Sequence, residues 1–472
     1  MKYLGLIITL LLFVGCKDAS IDNTNATAYL GGEIINPNTD YVVLYTANAI
    51  IDTVKLDERN RFLYKIDSLH PGIYFFKHKP ENQVIILEPN DSIIFRLNTM
   101  DFDESLVFTG KGSKKNNYLV NLFLENEKNN RKLLSFCELS PKQFEQKTDS
   151  IRQEQLSKLN DFTSRAETSD LFNKIATAKI NYNYYANKEI YPFAYYGDRE
   201  IKNLKTLPEG FYDYRKDVDY NDESLRSFFQ YYRFLETHFN NMALETYFEH
   251  TKDSVFNKES LHFNLDKLAL IDSLVTNKTI KNDLLKYTAK TFIYNSKNND
   301  ETKAVYEDFE TRSTCKEDKK TIERLTQAVM KLETGSKLPK VTVLNSNNTK
   351  LDLTSVIDKP TVIYFWSFNI KSHFKNSHRK ILELKAKYPN MDFIAINVNN
   401  DPKSNWKRSL KQYHFPIKNE YQFVNPEDAI RDLVISKLQK VIVLDKHANI
   451  VDPNANMFDP RFETILLGLL NQ

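Results

Sequence analysis

Pro360-Thr361-Val362-Ile363-Tyr364-Phe365-Trp366 is the stretch on which the reading of this chain turns. A run of apolar and β-branched residues after a proline has the length of one strand, and its lack of polar alternation means that both faces must be covered. Ser367-Phe368-Asn369-Ile370-Lys371-Ser372-His373 follows as a turn, after which Phe374, His378, Ile381, Leu382 and Lys385 recur at helical spacing. The sequence thus predicts a buried strand that delivers the chain to the N-terminus of a helix.

Around this unit, Asp392–Val398 reads as a buried strand and Lys403–Tyr413 as a helix containing Trp406. Asn425–Val434 reads as a short helix, Val441–Asp445 as a strand with Asn449–Val451 as its hairpin partner, and Arg461–Leu470 as a closing helix. Upstream, Gly335-Ser336-Lys337-Leu338-Pro339-Lys340-Val341-Thr342-Val343 and Leu351-Asp352-Leu353 lead into Lys359-Pro360. Helices on both faces of a mixed sheet, in this order, are the thioredoxin arrangement. Residues 334–472 resemble the thioredoxin-like domain of TlpA/ResA-type envelope thiol-disulfide oxidoreductases. That resemblance implies a Cys-x-x-Cys pair at the helix N-terminus, where the dipole lowers the thiol pKa, and a cis-proline facing it. The corresponding positions here hold Ile370, His373 and Gln439. Disulfide exchange needs an attacking thiolate and a leaving sulfur, and neither Ile370 nor His373 supplies one. The expectation is a vestigial active-site groove lined by Trp366, Phe368, Ile370, His373 and Gln439, serving recognition rather than reaction, with no catalytic residue and no cofactor.

The other chemistry-bearing residues are few. Outside the N-terminal segment the cysteines are Cys137 and Cys315, far apart in sequence, which could pair as a disulfide or remain free thiols. His373, His378, His414 and His447 are the candidates for a metal site, but a spacing of five keeps the first two off one helix face and no Cys or carboxylate cluster completes a shell, so no metal is expected.

At the other end, Met1-Lys2-Tyr3, the apolar run Leu4–Val14 and Gly15-Cys16 resemble a bacterial lipoprotein signal, with residues 1–15 removed and Cys16 lipidated. Phe13 departs from the commoner Leu. Acyl chains contribute about 0.8 kcal/mol per buried methylene, so several would hold the protein at a membrane. Residues 16–28 would form the tether. The implied location is the cell envelope, the outer membrane ahead of the inner, facing the periplasm or the cell surface.

Residues 29–113 carry seven strand-length segments between turns: Tyr29–Ile35, Tyr41–Ala47, Arg61–Ile66, Gly72–His78, Gln83–Leu87, Ser92–Leu97 and Ser105–Phe108. They predict a small antiparallel β sandwich. Ile51-Asp52-Thr53 with Phe62, Leu87-Glu88-Pro89-Asn90-Asp91-Ser92, and Phe108-Thr109-Gly110-Lys111-Gly112-Ser113 closing into Asn116-Asn117-Tyr118-Leu119 resemble the β domain that precedes thioredoxin-like domains in many Gram-negative lipoproteins. His70 and His78 there read as ordinary surface residues. Residues 114–333 change to helical period, as in Tyr118, Leu119, Leu122 and Phe123, or Leu225, Phe228, Phe229, Tyr232 and Leu235. Its tyrosine cluster at 182, 184, 185, 191, 195 and 196 reads as core or interface packing ahead of a ligand platform.

The chain is therefore expected to be a multidomain α+β protein with a β sandwich, a helical middle and a C-terminal thioredoxin-like α/β domain. Its 65 basic and 62 acidic residues are interspersed, giving a net charge of +3 and no nucleic-acid footprint. The function expected is that of a membrane-anchored subunit or adaptor that binds an envelope protein or peptide. The alternatives are a thiol-disulfide oxidoreductase working through Cys137 or Cys315, and a purely structural spacer.

Overall fold

The computed structural model describes residues 26–47, 49–401 and 404–470; the signal segment and Cys16 lie outside them. The described chain forms two compact units. One runs to Tyr185 and includes Ser224–Tyr231, and the other holds Ala186–Glu223 and Tyr232 onward. The helical stretch 114–333 is thus divided between the units.

The first unit begins with β1 (Ala28–Ile35), β2 (Tyr41–Tyr45), β3 (Ile50–Lys55), β4 (Arg61–Ile66), β5 (Gly72–His78), β6 (Glu81–Leu87), β7 (Ser92–Asn98), the short α1 (Phe102–Ser105) and β8 (Val107–Lys111). They make two four-stranded sheets, ordered β4-β1-β7-β8 and β3-β2-β5-β6. Strand β3 went unforeseen because Ile50–Lys55 buries no residue and so shows no core-facing alternation. The expectation of purely antiparallel pairing is corrected: β1 runs parallel to β7, from Tyr29 opposite Ser92 to Ile35 opposite Asn98. Five strands intervene between these two, enough chain for the return that a parallel pair requires. Both sheets feed one core, in which Phe76 stacks on Phe95 with centroids 4.4 Å apart. Gly32 leaves room for that ring, since a Cβ there would lie 2.6 Å from it. His78 is also corrected, from surface to interior: it is 1% exposed, and its Nε2 accepts the Asn38 N–H at 2.9 Å.

Helix α2 (Ser113–Asn130) explains the motif that closes this region. Asn116 Oδ1 accepts the Ile86 N–H at 2.8 Å while its Nδ2 donates to the Ile86 carbonyl at 3.0 Å. Asn117 does the same to both main-chain groups of Phe108, at 2.9 and 2.8 Å. Strands β6 and β8 are the outer strands of the two sheets, so adjacent side chains of one helix cover an edge of each. Lys115 Nζ, between them, contacts Glu88 and Asp91 at 2.6 Å each. Gly112, at φ 89°, starts the helix where a Cβ would strike the Asp91 carboxylate at 2.2 Å. Then come α3 (Leu133–Phe136), α4 (Pro141–Arg165) and α5 (Asp170–Glu200). Tyr182, Tyr184, Tyr185 and Tyr191 are buried on α5, whereas Tyr195 is 38% exposed.

The second unit carries most of α6 (Phe229–His250), then α7 (Leu261–Leu274), α8 (Lys278–Asn295), α9 (Asn299–Arg312) and α10 (Lys316–Met330). Asn277 and Asn298 cap α8 and α9 through their side-chain oxygens. The sheet follows: β9 (Thr342–Leu344), β10 (Lys350–Asp352), β11 (Thr361–Trp366), α11 (Lys371–Lys387), β12 (Asp392–Asn397), α12 (Asn405–Gln412), β13 (Glu420–Phe423), α13 (Pro426–Asp432), β14 (Lys440–Leu444), β15 (Ile450–Asn456) and α14 (Phe462–Leu470). Strand order is β10-β9-β13-β12-β11-β14-β15, with β11 parallel to β12 and antiparallel to β14. Every residue of β11 is buried. Val362, Tyr364 and Trp366 enter one core with Phe374, Trp406 and Phe462; Ile363 and Phe365 enter the other with Ile394, Ile396 and Ile442. Burying such a side chain contributes about 1.5–3 kcal/mol, so this strand anchors both layers. The topology is thioredoxin-like. On α11 the expected face shifts slightly: Leu384 is buried and Leu382 is 44% exposed.

Candidate functional site

The turn between β11 and α11 holds the positions that the resemblance marks. Its backbone is fixed from β12: the Val398 N–H donates to the Trp366 carbonyl at 3.0 Å, and Asn399 Oδ1 accepts the Phe368 N–H at 3.2 Å. Ile370 is the residue before the first turn of α11, which has no side-chain cap. Ile370 is 49% exposed, and His373, one turn on, is 9% exposed.

Neither ring nitrogen of His373 makes a hydrogen bond of normal geometry, although the main chain of Leu438 lies beside the ring. Burial holds its pKa below the usual histidine range, the nearby His378 adds to this, and the main chain of Leu438 opposes it. The imidazole is therefore neutral near pH 7, its polar atoms at most weakly engaged by the Leu438 main chain. Phe458, just after β15, lies edge-on to it at 6.4 Å and is 43% exposed. Sequence reading missed Phe458, because only the folded β15 carries it to this turn. Gln439 is exposed in the turn before β14. The adjacent Lys440 is buried and donates to the carbonyls of Leu433 and Val434 at 2.8 and 3.0 Å, tying that turn to the end of α13. Burial pushes the Lys440 amine down to about 7 against the pull of Asp452.

Trp366 must be taken off the groove. It is 0% exposed, because β11 alternates and its even-numbered residues face the core beneath α11. There the indole stacks on Phe374 at 4.6 Å and donates from Nε1 to Glu420 Oε2 at 3.1 Å. His378 Nε2 meets Glu420 Oε1 at 3.1 Å, while its Nδ1 faces the Phe374 carbonyl at 2.8 Å and so carries the proton. Burial raises the Glu420 carboxyl above its ordinary range, with His378, Lys385 and Trp366 opposing. Glu420 lies directly beneath the old active-site turn and belongs to no part of the sequence motif. Phe368 is partly buried against the same core.

The thiols sit elsewhere. Cys137 and Cys315 are both free. Cys137 is 3% exposed, and burial pushes its thiol up to about 11, which keeps it protonated and unreactive at neutral pH. Cys315 is partly exposed at the start of α10. Among the described residues no group of three His, Cys, Asp or Glu side chains is placed to hold a metal ion, so the four weighed histidines do not converge. Among the same residues no helix is long and apolar enough to cross a membrane.

No protein-family model matches the sequence, and no curated protein matches it. Solved structures match part of the chain. The thioredoxin domain of a thiol-disulfide oxidoreductase from Bacteroides vulgatus is 16% identical over 29% of this chain and 99% of its own, with a TM-score of 0.25. A thiol:disulfide interchange protein from a Bacteroides species is 17% identical over 26% of this chain and 81% of its own, with a TM-score of 0.24. The thioredoxin-like description of residues 334–472 rests on their strand order and core, and on those alone.

Proposed function

We propose that this chain is an envelope lipoprotein, anchored through Cys16, whose thioredoxin-like domain has lost disulfide exchange and binds a protein or peptide partner. On this reading the two sheets of the N-terminal region form a sandwich. The observation that carries the reading is the surface left at the old active-site turn. Two half-exposed apolar side chains, Ile370 and Phe458, flank an imidazole that makes no hydrogen bond of normal geometry, and no sulfur occupies either exchange position. A buried polar group without a partner costs about 1–3 kcal/mol, a cost that an incoming peptide group can relieve.

The test is recovery of partners from native membranes in mild detergent. Ile370→Glu with Gln439→Glu is expected to lose a stoichiometric partner that the wild-type protein retains. Undiminished recovery by the double variant would overturn the assignment of the surface. Thiol labelling tests the loss of exchange: Cys137 should react only on unfolding, and fast, low-pH labelling of either cysteine in the native protein would restore the oxidoreductase reading.

A further inference from the structure

A cavity in the second unit lies among its helices, and nothing above gives it a role. It encloses about 850 Å³, within the range of small-molecule sites. Helices α6, α7 and α8 form its walls, and Phe263 and Phe292 supply apolar surface. Two charged groups of opposite sign, Lys267 and Glu236, enter it and attract each other through space without forming an ion pair. Lys267 donates to Asn240 Oδ1 at 3.0 Å and lies 5.3 Å from the Phe263 ring, and it makes no ion pair. Glu236, one turn before Asn240 on α6, makes none either, and its neighbour is the Tyr287 hydroxyl.

Both groups are held at a cost to the fold. Burial pushes the Lys267 amine down to about 8, and burial likewise raises the Glu236 carboxyl. A core built only for stability would join them or replace them with apolar residues. The rest of the lining repeats this balance: among the described residues it adds three acidic side chains, Asp198, Glu259 and Glu301, and three basic ones, Lys258, Lys297 and Lys437. Such a lining gives no net field for a simple anion or cation, and complements a molecule that carries both charges.

We propose that this cavity binds a small zwitterionic ligand with an apolar body, its carboxylate held by Lys267 and its amine by Glu236. The inference stands apart from the partner surface, although Lys437 on the cavity wall belongs to the same turn as Gln439.

Calorimetric titration of the full chain with leucyl-phenylalanine tests it, beside the N-acetylated and the C-amidated dipeptide. The zwitterion should bind saturably, and each block should weaken it at least tenfold. Lys267→Met should bind the free and amidated forms alike, and Glu236→Gln the free and acetylated forms alike, with melting temperatures no lower than wild type. Absence of saturable binding by the folded wild-type protein, or blocked dipeptides that bind as tightly as the free one, would overturn the proposal. The comparison of blocked ligands needs no variant, so a substitution that fails to fold does not decide it.

Discussion

Two buried glutamates, each beside a histidine, have opposite electrostatics. Glu189 on α5 is 0% exposed, with His238 Nδ1 2.7 Å from Oε1 and Arg215 donating to both oxygens at 2.9 and 2.6 Å. Burial raises its pKa, but the hydrogen bonds from His238 and Arg215 and the Arg215 charge outweigh burial, and the carboxyl ends below its ordinary range. Glu420 on β13 has a histidine and an indole but no guanidinium, and burial wins. One arginine separates a carboxyl held below its ordinary range from one raised above it. The helical site is a structural ion cluster, whereas the one packed under β11 and α11 keeps a carboxyl raised above its ordinary range.

The strongest way to break this comparison is to neutralise each carboxylate in turn. Glu189→Gln leaves the Arg215 guanidinium largely buried without its main counter-charge and should cost about 3–5 kcal/mol in urea unfolding. Glu420→Gln exchanges one hydrogen-bonding group for another and should cost about 1–3 kcal/mol. Equal losses would mean that Glu420 is ionised too.

A pH series sharpens the contrast through the sign of its slope. A raised folded-state pKa means that the contribution of Glu420 is complete below the unfolded carboxylate range and fades as pH rises through the folded value. The contribution of Glu189 is complete above that range and fades as pH falls through its lowered value. The gap between wild type and Glu420→Gln should therefore narrow on raising the pH, and the gap for Glu189→Gln on lowering it. Parallel slopes would reject the distinction. The smallest effect is expected at the surface: Ile370→Glu, half-exposed above the Glu420 cluster, should move stability by less than about 0.5 kcal/mol and leave both slopes intact.

The legible and illegible parts of this chain differ for physical reasons. Strand β11 and helix α11 were readable because an unbroken apolar run and a 3.6-residue period are local signals. Strand β13 was not, because two of its three buried residues, Glu420 and Gln422, are polar and held by hydrogen bonds rather than by hydrophobicity. The element that sequence reading overlooked therefore carries the titratable group under the turn. Trp366 was assigned to the groove from its place beside the motif, and the pleat of β11 turns it inward instead. The Glu189–Arg215–His238 cluster joins residues 26 and 49 positions apart, a distance over which no periodicity speaks. The parallel pairing of β1 with β7 is hidden for the same reason.

The two asparagines at the start of α2 have a consequence for how this molecule behaves beside others of its kind. A carboxamide is chemically a peptide group, so Asn116 and Asn117 end each ladder with a counterfeit strand one residue long. An invading segment from another chain that paired with β6 at Ile86 or with β8 at Phe108 would have to displace these carboxamides and their four hydrogen bonds.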